Sequence, residues 1–407
     1  MKYHAYQAQS DLMAQMHFLA NFTAERLNLP PIFKPFGLDK LAAACQVFAT
    51  AEISHSRPDF GFHEMQIGAG EHAEEVMVTE EAAHVLPFCT LLHFKKERSM
   101  DLPRVLLVAP MSGHFATLLR ETARTLLPDH DVFITDWHNA RDVPLSAGRF
   151  GVDEYVQYLI KFMEVIGPGG HMVAICQPCV TALAATAIMA EDHNPAQPHS
   201  LTLMAGPIDT RVSPTKVNEL AMGKSLQWFK SNMICTVPMR YPGGMRQVYP
   251  GFLQLTAFLS MNFPRHVHSF HELYEHLVKD DINKADAIKS FYREYFAVLD
   301  LPAEFYLETV QHIFQEHSLA KGTLQVCGRT VNPAAIHRTA LLTVEGERDD
   351  ICGLGQTVAA HDLCTNIPMA RRAHHLQAGV GHYGVFSGRR WAQQIYPLVR
   401  SAILSNR

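Results

Sequence analysis

A series of short apolar runs, each followed by a helical pattern, constrains the fold of this chain more than any other feature. The runs are Arg104–Ala109, Asp131–Asp136, His171–Ile175, Leu201–Ala205, Ala340–Glu345 and, more weakly, Ala373–Ala378. The intervening predicted helices are Phe115–Leu127, Val152–Ile166, Pro178–Met189, Leu354–Cys364 and Arg390–Leu404. Continuous apolar strands that alternate with helices are typical of a parallel sheet covered on both faces. The sequence therefore predicts an α/β fold.

One long interruption separates two neighbouring strands of this pattern. Residues 209–338 show helical rather than strand periodicity, and we expect them to form a helical cap inserted above the sheet. The core then comprises residues 101–208 and 339–407. Residues 1–100 are expected to form an N-terminal preface of helices followed by the first strands of the sheet.

Aromatic and methionine side chains crowd the first half of the cap. Such residues at helical spacing are usually core, but they also form grooves for water-insoluble ligands. Trp228, Tyr249 and Phe252 are the candidate substrate-binding residues under the second interpretation.

Composition and charge exclude several classes of protein. The 407 residues are 47% hydrophobic and 18% charged, with a formal charge of −5, which disfavours disorder and nucleic-acid binding. No apolar run approaches the roughly 20 residues of a membrane span, and no secretory signal is visible, so we expect a cytoplasmic protein. The eight cysteines and 24 histidines show neither HExxH nor paired CxxC spacing, so no metal site is expected.

The segment Ala174–Cys179 (AICQPC) is the strongest candidate for chemistry. It follows an apolar strand and precedes a helix, which is where α/β hydrolases place their nucleophile on a tight turn. Cys176 occupies that place, and a helix N-terminus favours a thiolate there. Ala174 supplies the small residue two positions before it, and Pro178 replaces the usual glycine two positions after it. Two other interpretations stay open: Cys176 and Cys179 as a redox pair, or as plain core residues.

A nucleophile in this position predicts an acid after a later strand and a histidine near the C-terminus. Asp349 follows the strand Ala340–Glu345, and its register after Gly346 favours it over Asp350. His382 lies in a glycine-rich loop after the last strand and would act as the base, with Asp349 orienting it. His374 and His375 lie in the strand region and are interpreted as structural.

Two backbone positions are candidates for stabilising an oxyanion. The N–H of Gln177 directly follows the proposed nucleophile, and a second N–H is expected from Met111 or Ser112, just after the first strong strand. Together, these features predict an α/β-hydrolase fold with a mostly parallel central sheet, a helical cap and a cysteine nucleophile.

Six segments together resemble the intracellular poly(3-hydroxybutyrate) depolymerases. They are Val108–Phe115 (VAPMSGHF), Asp136–Ala140 (DWHNA), Ile175–Pro178 (ICQP), Tyr249–Thr256 (YPGFLQLT), Thr343–Ile351 (TVEGERDDI) and Gly379–Phe386 (GVGHYGVF). The resemblance extends over nearly the whole chain, including the preface and the cap, and the segments occur in matching order.

The resemblance implies cleavage of storage polyester on granules inside the cell, through an acyl-cysteine intermediate, by hydrolysis or thiolysis. By motif matching it assigns the nucleophile to Cys176, the acid to Asp349 and the base to His382. It implies no resident cofactor, with coenzyme A as an optional acceptor in place of water. The polymer is the expected partner, and the oligomeric state, a homo-oligomer included, is left open.

Three alternatives remain at the level of sequence. A polyester synthase uses the same triad on this fold, although Ala174 and Pro178 stand where synthases typically have glycines. A thiol oxidoreductase would require Cys179 as much as Cys176. A granule-coating protein without activity is disfavoured by a complete triad in the expected order.

Overall fold

In the computed structural model, which describes residues 2–27, 37–67, 74–98, 100–261 and 263–407, nine strands form one central sheet. Their order across the sheet is β1-β2-β3-β5-β4-β6-β7-β13-β14. The strands in chain order are β1 (Glu64–Ile67), β2 (Glu74–Leu86), β3 (Cys89–Lys96), β4 (Arg104–Val108), β5 (Asp131–Trp137), β6 (His171–Ile175), β7 (Ser200–Met204), β8 (Cys235–Thr236), β9 (Gln247–Tyr249), β10 (Leu301–Pro302), β11 (Gln325–Val326), β12 (Arg329–Thr330), β13 (Ala340–Gly346) and β14 (Arg372–Gln377).

The sheet is parallel from β5 to β14, whereas β1, β2 and β3 join it by antiparallel pairing. All six predicted strands are present. Five of them are covered on both faces and therefore read as apolar runs, whereas the edge strand β14 is mostly exposed. Every residue of β6 and β7 is buried. Parallel strands end at one edge of the sheet, so the loops after β4, β6, β13 and β14 converge there.

Helices cover both faces of the sheet, and the fold class is therefore the predicted α/β-hydrolase type. The helices are α1 (Lys2–Leu27), α2 (Leu38–Thr50), α3 (Arg120–Leu126), α4 (Val152–Ile166), α5 (Cys179–Glu191), α6 (Lys216–Met222), α7 (Leu226–Met233), α8 (Gly251–Met261), α9 (Phe263–Val278), α10 (Ile282–Tyr295), α11 (Ala303–Glu308), α12 (Ala360–Leu363), α13 (Gly388–Arg390) and α14 (Tyr396–Leu404). A π-helical segment, Thr309–Gln315, continues α11.

The predicted helix Leu354–Cys364 is wrong for most of its length, since only α12 is α-helical there. The preceding segment is a series of turns in which Gly355 has a φ of +95°. The buried Glu345 carboxylate accepts hydrogen bonds from the backbone N–H groups of Gly355, Thr357 and Val358, at 3.0, 2.7 and 3.0 Å. A side chain from the sheet therefore satisfies the donors that a helix would otherwise pair internally.

The chain between β7 and β13 carries α6 to α11, in agreement with its helical periodicity. It also contains a small antiparallel sheet, β10-β9-β8, that the sequence does not predict. These strands are two or three residues long, too short to show an alternating pattern. The division into preface, core and cap remains a prediction.

The N-terminal helix is attached to this cap through aromatic contacts. Tyr6 stacks on Phe252 with ring centroids 3.7 Å apart, and the Tyr3 hydroxyl donates to the Asp300 carboxylate at 2.5 Å. Within the described ranges, none of the helices combines the length and hydrophobicity needed to cross a membrane.

Candidate active site

The turn between β6 and α5 holds Cys176 in a backbone conformation that residues with side chains rarely adopt. Its φ is +66°, in the left-handed region, which costs about 1–2 kcal/mol for a non-glycine residue. Its N–H donates to the Met204 carbonyl at 2.8 Å, and its side chain is half-buried between two buried neighbours. Pro178, two residues after Cys176, is the N-cap residue of α5. The strained turn thus presents the thiol at the edge of the sheet.

Cys179 has a different environment from Cys176. It is fully buried, and its thiol lies 3.3 Å from the Ala174 carbonyl and 3.6 Å from the Met204 carbonyl. Burial, reinforced by the neighbouring Cys176, raises the pKa of the Cys179 thiol well above its usual value. A buried, protonated thiol is unreactive, which disfavours the redox-pair interpretation.

His382 and Asp349 form a buried hydrogen-bonded pair. His382 Nδ1 lies 2.8 Å from Asp349 Oδ2, and their side chains are 5% and 1% exposed. The other carboxylate oxygen, Oδ1, accepts the N–H groups of Ile351 and Cys352, at 2.9 and 2.8 Å. Asp350, the alternative acid, is exposed at the surface. The pair is therefore fixed in the geometry that orients a histidine base.

The protonated form of His382 is stabilised by the charges around it. Burial alone would lower the pKa of its ring, but Cys176 and Asp349 outweigh burial through charge and hydrogen bonding. The pKa of His382 is consequently raised well above its usual value. An imidazolium beside a thiolate is the arrangement that activates a cysteine nucleophile.

The residues whose backbone N–H groups are proposed as oxyanion donors line the same cavity. Met111, Ser112 and Gln177 all contribute to its wall. In the part of the chain that the structure describes, no protein atom accepts a hydrogen bond from the backbone N–H of any of the three. These donors are therefore available to a ligand.

The side chain of Gln177 is a further polar group at this position. It is 8% exposed, and among the described residues neither its amide oxygen nor its amide nitrogen has a hydrogen-bond partner. Buried amides are usually paired, so this one offers both a donor and an acceptor to a molecule in the cavity. From the sequence, only the backbone N–H of Gln177 is predicted to have a role.

The cavity that contains Cys176 and His382 has a volume of about 400 Å³ and a mainly apolar lining. Of the three predicted substrate-binding residues, Tyr249 lines it. Trp228 and Phe252 do not. Trp228 packs edge-on against Phe229, with centroids 5.2 Å apart, and Phe252 faces Tyr6 instead. Adjacent helical residues point in different directions, so it is Phe229, next to Trp228, that faces the cavity.

The sequence did not predict a second wall of the cavity, which lies in the second half of the cap. Tyr306, Val310 and Phe314 line it from α11 and its π-helical continuation. Their spacing of four residues is the signal that could have identified them, since it places side chains on one helix face. His374 and His375 lie outside the lining and contact Thr343 and Gln377. Within the described residues, no group of three or more His, Cys, Asp or Glu side chains could hold a metal ion.

The sheet, the elbow-like turn and the apolar cavity together define a hydrolase of the α/β-hydrolase fold. Residues 205–407 match the family model described as "PHB de-polymerase C-terminus", where PHB is poly(3-hydroxybutyrate). The chain belongs to the PHB depolymerase family, as its six sequence segments predict, and this family membership supports activity on ester bonds.

Three solved structures illustrate how distantly related the similar folds are. A Bacillus megaterium epoxide hydrolase is 12% identical, with a TM-score of 0.45, covering 79% of this chain and 99% of its own. The Paleococcus ferrophilus monoacylglycerol lipase is 11% identical, with a TM-score of 0.44 and coverages of 75% and 96%. The 2-hydroxy-6-oxo-6-phenylhexa-2,4-dienoate hydrolase of Rhodococcus sp. strain RHA1 is 12% identical, with a TM-score of 0.43 and coverages of 81% and 99%. A search of curated proteins returned no match.

Proposed function

We propose that this protein cleaves the ester bonds of poly(3-hydroxybutyrate) storage granules inside the cell through an acyl-cysteine intermediate on Cys176. The acyl group then passes to water or to coenzyme A. The observation that carries the proposal is the position of Cys176 at a strained turn, in one cavity with His382, which is paired with Asp349. The apolar lining of that cavity suits an uncharged, water-insoluble polyester.

In the first step, the Cys176 sulfur attacks an ester carbonyl and its proton resides on His382. The carbonyl oxygen becomes an oxyanion, which accepts hydrogen bonds from the Gln177 N–H and from an N–H of Met111 or Ser112. The carbon–oxygen bond to the leaving chain then breaks. His382 transfers the proton to the departing oxygen, which leaves as a hydroxyl.

In the second step, water or the thiol of coenzyme A attacks the acyl-cysteine carbonyl. His382 accepts the proton of the attacking group, and the Cys176 thiolate departs as the carbon–sulfur bond breaks. The product is a carboxylic acid with water and a thioester with coenzyme A. Asp349 keeps His382 oriented through both steps.

The test measures release of 3-hydroxybutyrate or its coenzyme A thioester from amorphous granules, with and without added coenzyme A. We expect Cys176→Ala and His382→Ala to lower release by about 10³-fold or more, because triad members act as a unit. Acid quenching of the wild type followed by mass spectrometry should detect an acyl group on Cys176.

Cys179→Ala is the matched control, since it removes the neighbouring thiol that is buried and bonded to backbone carbonyls. We expect it to retain turnover within a few-fold of the wild type. Near-normal turnover by Cys176→Ala would refute the nucleophile assignment. Equal losses at both cysteines would favour redox chemistry, and net polymer synthesis from coenzyme A thioesters would favour a synthase.

A further inference from the structure

A second cleft, of about 510 Å³, adjoins the apolar cavity on the side of His382. His382 and Tyr383 contribute to the walls of both. The charged residues that line this second cleft are Arg265, Arg348, Asp350, Arg389 and Arg390. We call it the arginine cleft.

The positive charge of the arginine cleft is not neutralised by ion pairs. Across the described ranges, none of its four arginines has a carboxylate oxygen within 4.0 Å, although most other arginines of the chain are paired. Arg389 and Arg390 bond to the Gln393 side chain and the Ala378 carbonyl, at 3.0 and 2.5 Å. Because the cleft is lined by four arginines and one carboxylate, that of Asp350, its net charge is positive and attracts anions.

The interior of a polyester chain carries no charge, so the arginines have no partner along the polymer itself. The chain ends differ, because one end is a hydroxyl and the other a carboxylate. In the proposed reaction, the acyl fragment on Cys176 carries the hydroxyl end, and the leaving fragment carries the carboxylate end. His382 protonates the leaving oxygen, so the leaving fragment lies on the side of His382, where the arginine cleft opens.

We propose that the arginine cleft binds the terminal carboxylate of the leaving fragment. The inference rests on the proposed function and adds a direction to it: cleavage is favoured near the carboxylate end, where a short leaving fragment brings its carboxylate within reach of the arginines. Guanidinium groups suit this role because they bind carboxylates through two parallel hydrogen bonds.

A second anion could approach from the same side, because an acceptor enters where the leaving fragment departs. The phosphates of coenzyme A share the anionic chemistry of the carboxylate. The experiment therefore has one arm for each source of charge.

The first arm compares a 3-hydroxybutyrate trimer bearing a free carboxylate with its methyl ester. We expect the wild type to prefer the free acid by about tenfold in kcat/KM, the combined effect of about two exposed ion pairs. The double variant Arg265→Gln, Arg348→Gln should reduce this preference to about one, since it removes two of the unpaired charges. Among the described residues these two arginines make no side-chain hydrogen bonds, and the melting temperature verifies that the variant is folded.

Arg338→Gln provides the matched control. Arg338 is exposed and, in the described chain, unpaired, and it lies before β13, whereas Arg348 follows β13 at the opposite end of the strand. Arg338→Gln makes the same type of substitution, with the loss of one positive charge, far from the cleft, and it should leave the preference unchanged. The second arm measures thioester formation from the methyl ester with coenzyme A.

The outcomes separate this inference from the proposed function. Equal wild-type rates on the acid and the methyl ester would overturn the carboxylate site while leaving esterase activity intact. Loss of only the coenzyme A reaction in the double variant would overturn it too and assign the cleft to phosphate. Failure of the wild type to cleave any 3-hydroxybutyrate ester would instead refute the proposed function.

Discussion

At the scale of single residues, the sequence identifies the candidate catalytic residues because each depends on a local pattern. Cys176 follows a fully buried strand and precedes a helix, and His382 lies in a glycine-rich loop. The register after Gly346 distinguishes Asp349 from Asp350, and the structure pairs Asp349 with His382. Trp228 and Phe252 could not be placed in this way. Which side of a cap helix faces the cavity depends on packing between distant segments.

Asp349→Asn should lower the pKa of His382 and shift the alkaline limb of the pH–rate profile to lower pH. Burial disfavours the charged ring of His382. Without Asp349, only Cys176 would remain to raise its pKa. We expect kcat to fall by about 10²- to 10⁴-fold, since asparagine also permits the wrong tautomer. The pH dependence of kcat/KM on a soluble ester measures the shift.

The raised pKa of His382 also makes the free energy of unfolding depend on pH. A histidine with a raised folded-state pKa contributes stability that is complete below about pH 6.5 and is lost as the pH rises through the folded pKa.

The control for the pH–rate prediction is His374→Gln. It removes an exposed histidine of β14 outside the cavity and should leave the pH–rate profile unchanged. An unchanged alkaline limb in Asp349→Asn would show that Asp349 does not control His382.

At the scale of elements, burial decides which strands and helices can be predicted from the sequence. The parallel strands β4, β5, β6, β7 and β13 are largely apolar and buried, and their sequence runs match their bounds closely. The edge strand β14 is mostly exposed, and its sequence run is correspondingly weaker. The short strands of the cap lack that signal. The apolar spacing of the segment before α12 predicts a helix, but the Glu345 side chain, which lies outside that segment on β13, accepts hydrogen bonds from its N–H groups.

Leu220→Gln on α6 should weaken the binding of polymer. Leu220 lines the cavity and is 53% exposed, so its remaining apolar surface is available to substrate. Full burial of a leucine is worth about 1.5–3 kcal/mol, and half of that corresponds to about a tenfold loss in kcat/KM on amorphous granules.

Met222→Gln on the same helix is the matched control. Met222 is 55% exposed but does not line the cavity. We expect its kcat/KM to stay within about twofold of the wild type, since it makes no contact with the proposed substrate. Equal losses in both variants would point to a general effect on α6 instead of a substrate contact.

At the scale of the whole molecule, the connections between distant segments are the least predictable feature. Asp300 is fully buried in the cap and joins three parts of the chain. Its carboxylate accepts the Tyr3 hydroxyl of α1 at 2.5 Å and the Gly251 N–H at 2.9 Å, and its own N–H donates to the Asn139 side chain at 3.0 Å. Tyr3 and Asp300 are far apart in sequence, and no local pattern relates them. The attachment of the N-terminal helix to the cap is therefore visible only in the folded structure.

Tyr3→Phe should destabilise the protein, and by more at high pH than at low pH. Burial raises the pKa of Asp300 to about 6, while the Tyr3 hydrogen bond opposes this rise by favouring the carboxylate. A raised pKa means that the folded state binds the proton more tightly than the unfolded state, so this group's contribution to stability falls between about pH 4 and pH 6. Without the hydroxyl the pKa rises further, and the ionised carboxylate loses a donor.

We therefore expect Tyr3→Phe to lower the free energy of unfolding by about 1–3 kcal/mol near pH 8 and by less near pH 5, because a protonated Asp300 depends less on the Tyr3 hydroxyl than an ionised one does. Urea unfolding at the two pH values measures both quantities. Tyr274→Phe is the control, because the Tyr274 hydroxyl, half-buried on α9, has no hydrogen-bond partner within the described residues. It should change stability little and equally at both pH values. A loss in Tyr3→Phe that is independent of pH would mean that Tyr3 holds α1 by packing alone and that Asp300 does not couple the N-terminal helix to the cap.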